Sequence, residues 1–218
     1  LENPEERNER TRLLNLLEAA AQFYASELTR YPAVKEYLTG RGVTTETVQN
    51  FRLGYAPPET ASWRAFTAYA AKKGYKPGEL VKAGLSIQKQ SSDSETANPA
   101  SPAGRYQLPA AHFYDRFRNR IMFPITDANG RVIGFGGRIF DLPAETSAPA
   151  KYINTPQTML YDKSAVLYGF DKAKMAIRKE NSCVVVEGYM DAIMAHQAGT
   201  THTVAVSGTA LTDRQLIA

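Results

Sequence analysis

The sequence contains very little cysteine and histidine and no long apolar run. Cys183 is the single cysteine among 218 residues, which excludes an internal disulfide and is typical of a protein from the reducing cytoplasm. Its place at the start of an apolar segment predicts a buried, structural thiol. No stretch of about 18 apolar residues occurs, so neither a membrane span nor a membrane partner is expected. The acidic opening LENPEERNER differs from a secretory signal, which is basic and then apolar. The histidines show no spacing typical of metal ligands: His112, His196 and His202.

Charge is ordinary in amount but uneven in distribution. Charged residues make up 22% of the chain and hydrophobic residues 43%, as in globular proteins with a substantial core. The net charge of +4 is compatible with nucleic-acid contact without establishing it. Between residues 114 and 138 five arginines stand against two aspartates: Arg116, Arg118, Arg120, Arg131 and Arg138 against Asp115 and Asp127.

The first part of the chain has the apolar periodicity of helices. Apolar residues recur every three or four positions from Asn8 to Leu28, which predicts an N-terminal helix within residues 1–30. Capping residues, prolines and glycines predict four more helices, at 32–38, from Thr44 or Thr45, at 63–73 and from Pro77.

Loops and a hairpin are predicted in the middle of the chain. The segment 88–111 is rich in Ser, Pro and Ala and is expected to form a flexible surface loop, and 141–150 is a second predicted loop. NRIMFPI and RVIGFGGRIF flank Asn129-Gly130, a pair that favours a β-hairpin. Pro124 predicts an edge position for the first of these strands. Helical stretches are expected at 164–170 and 171–178.

The sequence after residue 180 alternates strand and helix. CVVVEG, YMDAIMAHQAG, THTVAVSG and a helix opening at LTDRQL give a βαβα pattern, which is typical of a parallel sheet. Two strands and one full helix cannot cover both faces of such a sheet, so a truncated piece of a longer protein is expected, with Val184, Val186, Val204 and Val206 poorly covered. The predicted fold class is an α+β subdomain of helices plus a β-hairpin, followed by a truncated α/β domain.

VVVEGYMDAIMAH places two acids beside the end of a strand. Ligand sites in parallel α/β sheets lie at the carboxyl ends of strands, where Glu187 stands. Gly188 permits a tight turn, and Asp191 falls in the first turn of the next helix. Two such carboxylates suit Mg²⁺, which binds one or two carboxylates together with phosphate oxygens. Alternatively, the helix N-terminus favours the aspartate and the glutamate is merely solvated. Spacing alone leaves both interpretations open.

This segment resembles the first motif of the TOPRIM domain in bacterial-type DNA primases (the DnaG family), and EGYMD is its most specific part. YDRFRNRIMFPI, GRVIGFGGR, KYINTPQT, LYGF and SGTALT resemble further core motifs in the family's order, and GVTTETVQNFRLGYAP resembles the segment before them. The resemblance covers nearly all of the chain from about Leu13. It implies the N-terminal subdomain of a primase core at 31–180 and the first part of a TOPRIM domain at 181–218.

The resemblance also implies roles for individual residues. Glu187 corresponds to the catalytic carboxylate and Asp191 to its support; both would hold Mg²⁺ or Mn²⁺, with the remaining ligands in an Asp-x-Asp motif beyond Ala218. The implied nucleotide-binding residues are Lys151, Asn154 and Lys163. The implied DNA-binding residues are Arg41, Arg116, Arg118, Arg120 and Arg138. Alternate spacing would place Arg116, Arg118 and Arg120 on one face of an extended strand, although a single arginine is more often solvated or paired, as Arg116 could be with Asp115.

The implied function is that of a DNA-dependent RNA primase, a nucleotidyltransferase that makes short RNA primers on single-stranded DNA for replication. Its implied partners are the DNA template, ribonucleoside triphosphates, the RNA–DNA hybrid product and, through an absent C-terminal domain, the replicative helicase of a primosome. A monomer is expected, and zinc only in an absent N-terminal module. The piece alone is expected to be inactive. The alternatives are a phage-type primase-helicase core, another TOPRIM nucleotidyl-transfer or nuclease protein, and a fragment that only binds nucleic acid.

Overall fold

The structure is a computed structural model that describes residues 3–89, 113–141, 150–206, 208 and 211–217. Most of both predicted loops, residues 90–112 and 142–149, lies outside the described residues. So do His112 and three residues of the SGTALT motif, namely Ser207, Thr209 and Ala210.

Helices dominate the beginning and the end of the described chain. They are α1 (Pro4–Leu28), α2 (Pro32–Gly40), α3 (Thr45–Asn50), α4 (Ala65–Lys72), α5 (Pro77–Lys82), α6 (Phe170–Glu180), α7 (Tyr189–Gln197) and α8 (Asp213–Leu216). Their starts follow local chemistry, since the side chain of Thr44 accepts a hydrogen bond from the backbone of Thr47 and prolines open α2 and α5. The helices predicted in the first part are confirmed. The helix predicted at 164–170 is wrong: Tyr168 pairs with Ala205 in a β-bridge there.

The strands form three small sheets. They are β1 (Gly54–Ala56), β2 (Ser86–Gln88), β3 (Phe113–Asp115), β4 (Arg120–Thr126), β5 (Val132–Ile139), β6 (Tyr152–Asn154), β7 (Val184–Val186) and β8 (Thr203–Ala205). The main sheet has the antiparallel order β1-β4-β5-β6, and β2 pairs with β3 in a second antiparallel sheet. β7 and β8 run parallel to each other, which confirms the parallel α/β pattern predicted from sequence.

The β4–β5 hairpin turns at Asp127–Arg131 as predicted, with Gly130 at φ 80°. The edge position predicted from Pro124 is wrong, because β4 lies between β1 and β5. The short β1 pairs only with residues 120–122 of β4. Pro124 therefore lies beyond the reach of β1, where the missing backbone donor interrupts no hydrogen bond.

The core of the first part forms where α1 packs on the main sheet. Leu16, Leu17 and Tyr24 are at most 1% exposed, and the ring of Tyr24 meets that of Phe135 edge-on at 5.5 Å. Gly54 lets β1 approach the helix, because a Cβ there would lie 2.6 Å from the backbone of Tyr24. Among the described helices, none combines the length and apolar content needed to cross a membrane.

In the β7–β8 sheet, helices bury the residues of β8 more completely than those of β7. Val204 is fully buried and Val206 is 6% exposed, because α6 and α7 both pack on β8. The prediction that these two valines are poorly covered is therefore wrong. Val184 is 38% exposed, as predicted, since it belongs to the outer strand of the pair. Cys183 is also exposed, so the prediction of a buried thiol is wrong.

Candidate active site

Four of the predicted site residues line one open cavity of about 340 Å³: Glu187, Asp191, Arg41 and Asn154. They come from four different segments, namely the turn after β7, the first turn of α7, the turn after α2 and the end of β6. Tyr152 and Gly208 also line this cavity, which we call the acidic pocket. Both acids are exposed, so a ligand can reach them from solvent.

The two acids are placed by the junction between β7 and α7. Glu187 follows the last residue of β7, and Gly188 is the N-cap of α7 with an extended backbone (φ −119°, ψ 160°). A Cβ on Gly188 would lie 2.9 Å from Oδ2 of Asp191, so the absence of a side chain at Gly188 leaves room for the carboxylate in this position. The partial positive charge at the helix N-terminus stabilises an acid in this position. The junction therefore directs both carboxylates to one volume.

Tyr189 anchors this junction to the main sheet. It is 3% exposed, its ring stacks on Phe123 at 5.2 Å, and its hydroxyl donates to Oδ1 of Asn154 at 2.8 Å. A Cβ on Gly136 would lie 2.3 Å from the Tyr189 ring, which explains the glycine at this position of GFGGR. Sequence reasoning missed both residues as parts of the site. The central place of the tyrosine in EGYMD was the available signal.

Arg138 and Lys151 lie beside the acidic pocket, near its Tyr152 wall. Arg138 pairs with Tyr152 across β5 and β6, and its guanidinium lies 5.0 Å from the ring centre of Tyr37. Burial raises the pKa of the Tyr152 phenol above its ordinary value, while the positive charges of Arg138 and Arg41 act in the opposite direction. Lys151 precedes Tyr152, and its side chain is exposed. Two predicted cations thus border the pocket without lining it.

Lys163 occupies a neighbouring cavity of about 420 Å³ with Asp162, Ser164 and Thr212. Gly208 lines this cavity and the acidic pocket alike. A Cβ on Gly208 would lie 3.1 Å from Nζ of Lys163, so the ammonium group reaches the boundary between the two cavities.

The arginines at 116, 118 and 120 do not share one face of a strand, so that prediction is wrong. Arg116 follows the end of β3 and Arg120 begins β4, while Asn119 between them has a φ of 49° that turns the chain. The three side chains instead line a common cavity of about 470 Å³ at the opposite end of the β4–β5 hairpin from its turn.

Each of these three arginines has a partner within the protein. Arg120 is 5% exposed and donates to the carbonyls of Gly137 at 3.1 Å and Ala150 at 3.0 Å. Burial lowers the pKa of its guanidinium. Arg118 pairs with Glu59 at 2.7 Å. Each would have to exchange partners before it contacted DNA.

Asp115 does not pair with Arg116, an alternative left open by the sequence. Its carboxylate accepts from the backbone N–H of Phe66 at 2.7 Å and of Thr67 at 3.0 Å, and from the Thr67 hydroxyl at 2.6 Å. It therefore caps α4, whose own N-cap residue Arg64 makes no side-chain cap. Arg116 donates instead to the carbonyl of Asn154 at 3.3 Å.

The chemistry of the acidic pocket fits a loosely held divalent cation. Glu187 and Asp191 offer hard oxygen ligands, and Mg²⁺ commonly binds through one or two carboxylates while water and phosphate oxygens fill its other positions. Within the part of the chain that the structure describes, no group of three or more His, Cys, Asp or Glu side chains could hold a metal ion. The described residues thus supply part of a metal site.

A larger cavity of about 560 Å³ lies at the C-terminal end of α7, lined among others by Phe51, Lys172 and His196. Among the residues that line this cavity, Glu46 is the single acidic one. The imidazole of His196 already makes a 2.7 Å hydrogen bond with the carbonyl of Thr203. The smaller acidic pocket has the paired carboxylates and the facing arginine, so chemistry rather than size identifies the candidate site.

Two family models match the chain. The model of the DNA primase catalytic core, N-terminal domain, matches residues 23–98 and 93–174, and the model of the Toprim domain matches residues 181–217. Toprim domains in primases suggest the use of a divalent metal in general.

Individual DNA primases are also similar to this chain. A DNA primase of Synechococcus elongatus is 39% identical over 211 residues, which is 95% of this chain and 27% of that protein. The crystal structure of the RNA polymerase domain of Mycobacterium tuberculosis primase DnaG is 38% identical with a TM-score of 0.79, over 95% of this chain and 60% of that one. A DnaG primase catalytic domain bound to single-stranded DNA is 31% identical with a TM-score of 0.75, over 97% of this chain and 58% of that one. The chain thus spans little more than a quarter of the length of the first relative.

Proposed function

The chain belongs to the DNA primase catalytic-core family, and on that premise we propose that its acidic pocket is part of a site that joins ribonucleotides on a single-stranded DNA template. The convergence of Glu187, Asp191, Arg41 and Asn154 in one pocket carries this proposal. Exposed charges of this kind contribute little to stability, so their convergence in one pocket supports a role in binding a cation and phosphate.

The roles of the residues follow from their chemistry. Glu187 and Asp191 would hold Mg²⁺ or Mn²⁺, which when bound neutralises negative charge on phosphate oxygens. Arg41 and, from the adjoining cavity, Lys163 bind phosphate oxygens through their positive charges. Asn154 orients the nucleotide by hydrogen bonding, with its own position set by Tyr189.

Arg138 and Lys151 add positive charge at the border of the pocket, where we expect the DNA template to bind. Both lie beside Tyr152 at the border of the pocket, and the relative bound to single-stranded DNA supports a DNA strand as their partner. Contacts of arginine and lysine with phosphates do not depend on base sequence, which suits an enzyme that copies many templates. Arg116 and Arg118 are proposed as more distant DNA contacts. Arg120 is proposed to act on DNA binding only through the strands it ties together.

The remaining partners are part of the proposal. Ribonucleoside triphosphates are the substrates, and an RNA–DNA hybrid is the product. We also expect a monomer, a replicative helicase as partner and a cytoplasmic location. These three expectations follow from the proposed primase function and stay predictions. Zinc is not proposed for the described residues, which bring no cysteine and histidine cluster together.

The test is a primer-synthesis assay with ribonucleotides, Mg²⁺ or Mn²⁺ and a single-stranded template. It uses this chain and a chain extended to the length of its relatives. Glu187→Gln in the extended chain removes the charge with almost no change of shape, and we expect primer synthesis to be lost while the protein stays folded. The control is Glu180→Gln, which changes the last residue of α6, away from the pocket.

One outcome would contradict the role of Glu187, and a second would contradict the expectation that this chain alone is inactive. Primer synthesis by Glu187→Gln at the unmodified rate would remove Glu187 from the catalytic residues. Template-dependent RNA made by the 218-residue chain alone would show that two carboxylates suffice, whereas we expect weak DNA binding and no primer from that chain because its described residues supply only part of a metal site.

A further inference from the structure

The turn that carries Arg41 is held by a residue of α7 that lies outside the acidic pocket. The side-chain amide of Gln197, the last residue of α7, accepts at Oε1 from the backbone N–H of Thr44 at 2.9 Å. Its Nε2 donates to the backbone carbonyl of Gly42 at 2.8 Å. One amide therefore satisfies a donor and an acceptor on the same turn, and this pair of bonds fixes both the distance and the orientation of the turn.

The turn is shaped to receive α7. Gly42 has a φ of 82°, which favours glycine, and a Cβ there would lie 3.5 Å from Cε of Met194. Met194 and Gln197 are three residues apart and share one face of the helix. That face thus contacts the turn through an apolar side chain and an amide. Arg41 stands immediately before Gly42, and its side chain lines the acidic pocket.

We propose that Gln197 is a positioning residue that fixes Arg41 at the acidic pocket, where Arg41 binds phosphate oxygens. The inference rests on the proposed function and deepens it. α7 begins beside Glu187 and carries Asp191 in its first turn, while its last residue holds the Arg41 turn. A single rigid helix therefore sets the spacing between the carboxylates and the arginine that faces them.

A purely structural role for Gln197 would have different consequences. In that case its replacement would lower stability, and any effect on binding would be the same whether or not Arg41 is present. If Gln197 acts through Arg41, its effect on phosphate binding disappears once Arg41 is removed. A double-mutant cycle separates the two cases because it measures the coupling between the residues directly.

The experiment compares the unmodified 218-residue chain with Gln197→Met, Arg41→Ala and the double variant. Methionine keeps the length of the side chain and removes both hydrogen bonds. The matched control is Gln22→Met, since the amide of Gln22 donates to Glu18 at 3.1 Å on the exposed face of α1, away from the pocket. Fluorescence anisotropy measures affinity for a labelled ribonucleoside triphosphate in one arm and for a short oligothymidylate in the other, which distinguishes nucleotide from DNA phosphate.

We expect Gln197→Met and Arg41→Ala each to weaken binding in at least one arm by about three- to tenfold, the loss of roughly one hydrogen-bonded contact. The double variant should bind no more weakly than Arg41→Ala, and Gln22→Met should bind normally. Additive losses in the double variant, or normal binding by Gln197→Met beside weakened binding by Arg41→Ala, would overturn the inference and leave the proposed function intact. Normal binding by Arg41→Ala in both arms would overturn the role of Arg41 itself, and with it this inference.

A second measurement does not depend on ligand affinity. Hydrogen exchange of the Thr44 amide should be accelerated in Gln197→Met, because its acceptor is lost, while amides of α1 keep their protection. Unchanged protection of Thr44 would show that the turn holds its shape without Gln197, and would refute the positioning role.

Discussion

Replacing Gly136 by alanine tests the contact that joins the two halves of the candidate site. The new Cβ would lie 2.3 Å from Cε2, 2.5 Å from Cζ and 2.8 Å from the hydroxyl oxygen of Tyr189. Separations under 3.0 Å essentially never occur for real Cβ atoms, so either β5 or the tyrosine must move. The ring has little freedom, because it stacks on Phe123 and meets Tyr168 edge-on at 4.7 Å.

The size of the effect follows from two contributions. Forcing an extra methyl group into a packed core costs about 1–3 kcal/mol. Displacing the Tyr189 ring also breaks its 2.8 Å hydrogen bond to Asn154, worth about 1 kcal/mol. We therefore expect Gly136→Ala to lower the free energy of unfolding by about 2–4 kcal/mol. In the extended chain it should also reduce primer synthesis, since Glu187 and Asp191 flank the displaced residue in sequence.

The assay is denaturant unfolding of the unmodified chain, Gly136→Ala, Tyr189→Ala and the double variant, followed by circular dichroism. Tyr189→Ala removes the ring that the new methyl group would meet. Gly136→Ala should therefore cost less than about 1 kcal/mol in that background, because the two residues no longer touch. The control is Gly78→Ala within α5, where a Cβ meets nothing within 4 Å; there alanine should be neutral or stabilising by up to about 1 kcal/mol.

Equal costs of Gly136→Ala with and without the Tyr189 ring would refute the reasoning, since the clash would then lie elsewhere. A cost below about 0.5 kcal/mol in the unmodified chain would refute it as well, because that is the range of neutral surface substitutions.

Three further predictions concern charged residues. Arg138→Ala and Lys151→Ala should each weaken binding of single-stranded DNA and lower its salt dependence by roughly one phosphate equivalent, measured by titration at several salt concentrations; an unchanged salt slope would remove them from the proposed DNA-binding residues. Arg120→Met should instead lower the free energy of unfolding by about 2–4 kcal/mol, because it removes the charged hydrogen bonds that a buried guanidinium makes to the carbonyls of Gly137 and Ala150, and unchanged stability would contradict its structural role. Glu18, whose pKa is lowered by hydrogen bonds from Arg52, should contribute about 0.5 kcal/mol at neutral pH. Because its pKa is lower in the folded state, that contribution is present above the ordinary value of 4.5 and is lost as pH falls below it. A stability difference between the unmodified chain and Glu18→Gln that does not change from pH 7 to 3 would contradict this.

Much of the fold could be predicted from the sequence because its signals are local. The Thr44 cap, the prolines that open α2 and α5 and the Asn129-Gly130 turn each act on residues within a few positions. The parallel strands followed from apolar runs alternating with helical spacing. The site acids Glu187 and Asp191 were also accessible, since a strand end and the next helix N-terminus are neighbours in sequence.

Other features were wrong or missed because they depend on residues far apart in the chain. Pro124 lies in an interior strand, because β4 is flanked by β1 and β5. It is tolerated there because β1, which comes much earlier in the chain, is short and pairs only with residues 120–122. Arg120 is buried because carbonyls of β5 and of the residues before β6 surround it. Cys183 begins an apolar run and is nevertheless exposed, because burial depends on what packs against a strand.

The sequence by itself thus determined most of the helices, the β4–β5 hairpin, the β7–β8 pair, the family and the two acids of the candidate site, since each depends on residues close together along the chain. Only the tertiary structure decided which other residues line the pocket with those acids. Arg41 and Asn154 reach the acidic pocket because Gln197 holds one turn and Tyr189 packs against Gly136. These contacts join residues that are about 35 to 155 positions apart. No local pattern encodes such pairs, because their energy depends on shape complementarity that exists only once the chain has folded.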